Sequence, residues 1–243
     1  MITTPSSSSA PPSPRGSLRP RLIATAVTLA CLGGLALSID LDVARWCKAG
    51  NLPKELLRFL NFSEVFGHGL GVGTLLIAAV VLDPSLAGRR AMPRLGRLPL
   101  SPDWPRMIAA TFAGGIMANV IKELAVDRVR PRAADLSAAA SAFATFGDTL
   151  ATHVTSHSDV NSFPSGHSAT AAGLAAALAW KYPRGARLFA FLAASAAAQR
   201  VATSAHYPSD VLLGLALGLA CAAIFVGTAR PHGTSATFDG PMD

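Results

Sequence analysis

The chain has 243 residues, of which 51% are hydrophobic and only 14% charged, against about 25% charged in an average soluble domain. With a mean hydropathy of +0.40, this composition excludes a disordered chain and argues against a soluble globular one. The net charge is +7, but the basic residues fall between hydrophobic runs, so membrane topology accounts for most of them and nucleic acid is not the expected partner.

Residues 1–21 are rich in Ser and Pro. They cannot build a core and are expected to form a disordered cytoplasmic tail. Apolar runs follow at Leu22–Ile39, Val65–Leu82, Met107–Val126, Ser165–Trp180, Leu188–Ser204 and Val211–Thr228. The first is too long for the core of a secretory signal and is taken as a retained span. The expected fold is therefore all-α, a six-span transmembrane bundle over residues 22–229, closed by a short tail at 230–243. Small-residue patterns at Gly67/Gly71 and Gly214/Gly218 suit close helix contacts, or are simply background in an Ala/Gly-rich chain.

With the N-terminus inside, the inner segments hold more Lys and Arg than the outer ones, which puts both termini in the cytoplasm. The longest connection, 127–163, is then outside. Leu136, Ala140, Phe143, Leu150 and Val154 recur there at helical spacing, so either an interfacial helix or a mobile loop is expected. Cys47 falls in the first outer loop, whereas Cys31 and Cys221 fall within spans. No CxxC or Cys/His spacing occurs, so neither a disulfide framework nor a zinc site is expected.

Three polar segments border the spans. Lys122 to Pro131 leaves the third, Phe163 to Ser168 opens the fourth, and Gln199 to Asp210 bridges the fifth and sixth. Ionisable groups at such places are costly and are functional candidates by default. Alternation of six spans brings all three segments to one face, the outer one. Lys122, Arg130 and Arg200 would then surround one spot with positive charge, and arginine forks match phosphate oxygens. Pro164 fits a first helical turn. The N–H groups of Ser165, Gly166 and His167 would be unpaired and would form an anion site, with Gly166 allowing close approach.

Asp210 stands four residues after His206, the spacing at which a carboxylate can orient an imidazole and stabilise its charged form. His206 is accordingly expected to attack phosphorus and form a phosphohistidine. His167 is expected to protonate the leaving oxygen and later to activate water. Few acids border the site, so no metal and no other cofactor is called for. His153 and His157 would share one face of a helix, but a polar loop is the default there.

These segments resemble the signature of the type 2 phosphatidic acid phosphatase superfamily, which reads KxxxxxxRP, PSGH and SRxxxxxHxxxD. PSGH is intact at Pro164–His167, and RxxxxxHxxxD is intact at Arg200, His206 and Asp210. The resemblance spans roughly residues 65–228. It implies a six-helix membrane bundle and metal-independent phosphate-ester hydrolysis; with the site at the membrane face, a phosphorylated lipid is the expected substrate and a bacterial inner membrane the expected location. There are two departures. Seven residues instead of six separate Lys122 from Arg130; on a continuous helix this would turn Lys122 by about 100°. Gln199 stands where the family usually has Ser. Phosphate transfer to an acceptor other than water would use the same residues, and a non-catalytic lipid-binding protein is the remaining alternative. Oligomeric state is not indicated.

Overall fold

The structure is a computed structural model that describes residues 18–83, 85–86, 101, 103–124, 126–147 and 149–226. Among them, eight α-helices follow in chain order: α1 (Leu18–Ala36), α2 (Asp40–Lys48), α3 (Lys54–Ser63), α4 (Gly69–Leu82), α5 (Asp103–Leu124), α6 (Gly166–Lys181), α7 (Ala186–Ala202) and α8 (Pro208–Val226). The all-helical expectation holds, and each expected apolar run falls mainly on one helix. Helix α1 begins at Leu18, so the last residues of the expected N-terminal tail are its first turn. The rest of that tail and the tail at 230–243 lie outside the described residues.

Helices α1, α5 and α8 are long and apolar enough to cross a membrane; α3, continued by a 3-10 turn over Glu64–Phe66, forms with α4 a fourth candidate bent by 63° at the break between Phe66 and Gly69. The bend differs from the straight span expected over Val65–Leu82. Gly67 and Gly69 flank His68 there, and a polar side chain between two glycines is poorly suited to a helix interior. Helices α6 and α7 have 16 and 17 residues.

Helix α6 is the centre of the bundle. Every residue from Ser168 to Leu178 is buried, and α5, α7 and α8 pack around it. Its Ala-rich surface carries little volume, so the helices meet nearly backbone to backbone. A Cβ at Gly218 would meet the Ala169 backbone, one at Gly214 the Ser165 carbonyl, and one at Gly173 the carbonyls of Ala110 and Thr111. Gly214 and Gly218 are therefore contact residues. Helix α1 lies along α8. Larger side chains, among them Val72, Leu76, Met107, Leu174 and Val226, fill the remaining core.

The two ends of the bundle are built differently. At the end where α5 starts and α6 stops, Lys181 pairs with Asp103 at 3.0 Å in a buried ion pair, and the Tyr182 hydroxyl donates to Asp83 at 2.9 Å. At the other end, residues 126–147 and 149–163 form an ordered cap that is neither the interfacial helix nor the mobile loop expected. Isolated bridges pair Arg128 with Phe146 and Asn161, and Ala134 with Ala151. Val129, Ala133, Leu136 and Ala139 bury a second apolar cluster with Leu41 of α2 and Tyr207. Helix α2 holds the cap through its cations. Arg45 donates to the carbonyls of Leu136 and Ala139, and Lys48 to those of Pro131 and Ala134. These two basic residues serve the cap, which explains part of the positive charge on segments assigned to the outside. Cys47, expected in an open loop, is buried on α2.

Candidate active site

The capped end gathers the three polar segments. Ser165 is the N-cap of α6, and its hydroxyl accepts from the Ser168 N–H at 3.4 Å and from the Ser168 hydroxyl at 2.9 Å. Pro164 thus precedes the cap and does not occupy the first turn. The Ser165 N–H donates to the Asp210 carbonyl at 3.0 Å. It is therefore not one of the free donors expected of this turn; those begin at Gly166 and His167, whose N–H groups have no acceptor within the helix. The same bond ties the start of α6 to the start of α8.

Lys122 reaches this turn despite the extra residue before Arg130. Its Nζ lies 3.8 Å from where a Cβ on Gly166 would sit. Helix α5 stops at Leu124, and the irregular chain that follows absorbs the insertion. Arg130 is held by its backbone N–H, which donates to the Asp159 carbonyl at 2.8 Å. Lys122, Arg130, Arg200, His167 and His206 form a connected set, each within electrostatic range of at least three of the others. The Nε atoms of Arg130 and Arg200 are buried without a hydrogen-bond partner. A buried guanidinium N–H left unpaired is costly, and here two of them stand beside one histidine pair.

His206 is buried in the turn between α7 and α8. Burial pushes its imidazole down to about 4, against the pull of Asp210, with Arg130 and Lys122 adding to the depression. The ring is therefore uncharged at neutral pH. Its Nδ1 is 3.7 Å from Asp210 Oδ2, too long for a hydrogen bond, and Ser162 bridges the gap. The Ser162 hydroxyl donates to Asp210 Oδ2 at 2.6 Å and lies 3.4 Å from His206 Nδ1. Since its one proton goes to the carboxylate, Ser162 can only accept from Nδ1–H. This assigns the proton to Nδ1 and leaves the Nε2 lone pair free.

Asp210 is fixed from behind. Arg128, fully buried, pairs with both Asp210 and Asp40. Its Nη2 is 2.7 Å from Asp40 Oδ2, its Nη1 donates to Ser209 Oγ at 2.8 Å, and its Nε donates to Thr145 Oγ1 at 2.9 Å. The guanidinium is sandwiched by the rings of Phe146 and Tyr207 at 4.6 and 4.1 Å. Asp40 also accepts from the Ser209 N–H at 2.9 Å. Each nitrogen of Arg128 is engaged and its side chain is fully buried, so it supports Asp210 from behind.

Four residues that sequence reasoning did not single out stand close to those it did. They are Ser162, Arg128, Asp40 and His68. The His68 ring centroid is 5.8 Å from that of His167. A signal existed for His68, a titratable residue inside an otherwise apolar run. None existed for Asp40, which lies 169 positions from Ser209. His153 and His157 do not share a helix; His157 opens a short 3-10 turn and contacts the Asn161 amide at 3.1 Å. No cluster of three metal-ligating side chains occurs among the described residues.

The site thus sets a buried, uncharged histidine beside a cluster of cations at one end of a helical bundle. The model of the PAP2 superfamily matches residues 105–232, and the chain belongs to that superfamily. It is 38% identical over 104 residues to the lipid A 1-phosphatase of Rhizobium etli, a match covering 43% of this chain and 40% of that protein. It is equally similar over 104 residues to the lipid A 1-phosphatase of Rhizobium johnstonii, covering 38% of it. The matched stretch thus spans about two fifths of these relatives. The fold is similar to the crystal structure of a transmembrane PAP2 type phosphatidylglycerolphosphate phosphatase from Bacillus subtilis. The TM-score is 0.56 at 19% identity, over 85% of this chain and 93% of that one.

Proposed function

We propose that this protein is a membrane phosphatase that hydrolyses a lipid phosphate or pyrophosphate ester through a phosphohistidine, without a metal. The observation that carries the reading is the pair of unpartnered Nε atoms on Arg130 and Arg200 beside His206 and His167. They await an anion with several oxygens, and phosphate meets that requirement. Lys122 and the N–H groups of Gly166 and His167 complete the cradle; Ser165 contributes by shaping the turn.

The Nε2 lone pair of His206 attacks phosphorus, and the bond from phosphorus to the lipid oxygen breaks. His167 takes up the proton that the ester brings as a monoanion and passes it to that oxygen, and the lipid alcohol leaves. Water then attacks the phosphohistidine, His167 takes the water's proton, and inorganic phosphate is released. The cations stabilise charge on the equatorial oxygens. Two carboxylates, Asp40 and Asp210, stand behind His206 against one guanidinium, Arg128. The surplus negative charge favours the positive charge that grows on the ring as Nε2 bonds to phosphorus.

The wider reading is a six-span catalytic domain from residue 18 to about 229, in a bacterial inner membrane. Both termini are cytoplasmic, and the site is at the outer face, where a lipid presents its headgroup while its tails stay in the bilayer. The lipid A 1-phosphatase relatives support a glycolipid phosphate as the first substrate to test.

The test is a rapid-quench experiment with substrate carrying labelled phosphate. The parent protein is expected to hold an acid-labile, base-stable label, and His206→Ala none. A label persisting in His206→Ala would remove the nucleophile assignment. His167→Ala is expected to slow an alkyl ester by about 10² to 10⁴ and an activated phenyl ester far less; equal losses on both would remove His167 as leaving-group acid.

A further inference from the structure

The bend between α3 and α4 turns polar side chains toward the site. Glu64, in the 3-10 turn that leads into the bend, accepts from Arg200 Nη1 at 3.1 Å through Oε1. Gln199, only 3% exposed, donates through Nε2 to Asn61 Oδ1 at 3.3 Å and to Glu64 Oε2 at 3.5 Å. Its own Oε1 accepts from Arg200 Nη1 at 3.3 Å. Arg200 Nη1 is thus held by two oxygens, while its buried Nε has no partner. Gly67 brings the same bend against α6, where a Cβ would lie 3.0 Å from the His167 carbonyl.

We infer that Glu64 and Gln199 form a latch that positions Arg200 for phosphate, and that the α3–α4 bend exists to deliver it. A guanidinium on a long side chain has many rotamers, and freezing them when the anion arrives weakens binding. Holding Nη1 beforehand leaves the Nε edge of the fork presented to the ligand. The latch also accounts for Gln199 at a position where the resembling family pattern has Ser. A serine hydroxyl is too short to span from α7 to the α3–α4 bend, whereas the Gln199 amide reaches Asn61 and Glu64. Glu64 does not touch the phosphate in this account. It is a positioning residue, and its negative charge is accepted at the site because Arg200 neutralises it.

The inference rests on the phosphate site proposed above, so its test reads anion binding separately from turnover. The probe is inorganic orthovanadate, titrated calorimetrically into the purified full chain, with lipid-phosphate turnover measured in parallel. Glu64 is 39% exposed at its side chain, so variants there are expected to fold, as checked by an unchanged melting temperature. Glu64→Ala is expected to weaken vanadate about tenfold, the size of one lost charge-assisted hydrogen bond. Glu64→Gln, which keeps an acceptor for Nη1, recovers most of that loss. In an Arg200→Ala background, Glu64→Ala has no further effect, because both changes act through one guanidinium. Vanadate affinity unchanged in Glu64→Ala, or reduced by the same factor with and without Arg200, overturns the latch. A parent that binds vanadate with this pattern yet turns over no lipid phosphate would leave the latch standing and remove the hydrolysis. A parent that neither binds nor turns over removes both.

Discussion

His206 carries the most consequential single-residue property of the site, a ring that stays uncharged because it is buried. Its proton affinity falls to about 4, with burial the main cause, Asp210 opposing, and Arg130 and Lys122 assisting. Attack requires the free lone pair, so activity is present above that value and lost as the pH falls through it. Corrected for the substrate's own ionisation near pH 6, kcat/KM is expected to stay level from pH 7 to about 5 and to decline toward 4. An acid limb centred near 6.5, the ordinary value for histidine, would mean that burial does not govern this ring. At this scale the sequence was readable where function compresses into short spacing: Pro164 to His167, and Arg200, His206 and Asp210. It was silent about Ser162, which intervenes between His206 and Asp210, because nothing local tells a bridging serine from any other loop serine. It was silent about Asp40 and Arg128 for a stronger reason. Their meeting depends on how α2, the cap and α8 dock, across 88 positions of chain.

Among the elements, the glycines of α5, α6 and α8 set how closely the motif segments approach. Gly218→Ala would press a methyl group into the Ala169 backbone, whereas Gly34→Ala on α1 meets nothing within 4 Å. Overpacking of this kind costs about 1–3 kcal/mol. Gly218→Ala is expected to lower the melting temperature in detergent and to reduce activity, while Gly34→Ala matches or slightly exceeds the parent. Equal behaviour of the two would mean that the α6–α8 contact is not as close as described. Hydropathy located these helices well because each must hide its backbone from lipid. It missed the break between α3 and α4, where averaging over Val65–Leu82 hid His68. It also missed the order of the cap, where Arg45 and Lys48 grip backbone carbonyls, contacts that carry no periodicity.

For the molecule as a whole, the unequal ends define its orientation. The capped end, with its site, is proposed to face outward, and the Lys181–Asp103 end inward. Because Cys47 is buried, cysteines placed on exposed residues report topology better. A membrane-impermeant maleimide is expected to label Ser141→Cys in intact spheroplasts, and Arg184→Cys only after the membrane is opened. The opposite pattern would put the site in the cytoplasm. Beneath orientation lies the proposed chemistry, in which a cradle of side-chain cations and backbone N–H groups neutralises phosphate in place of a metal. The most direct measurement is inorganic phosphate release by the purified protein from a panel of lipid phosphates, glycolipid phosphates included, in the presence of EDTA. The account predicts sustained release from at least one of them, blocked by vanadate and abolished in His206→Ala. No release from any, or release that appears only when Mg²⁺ or Zn²⁺ is restored, would contradict it.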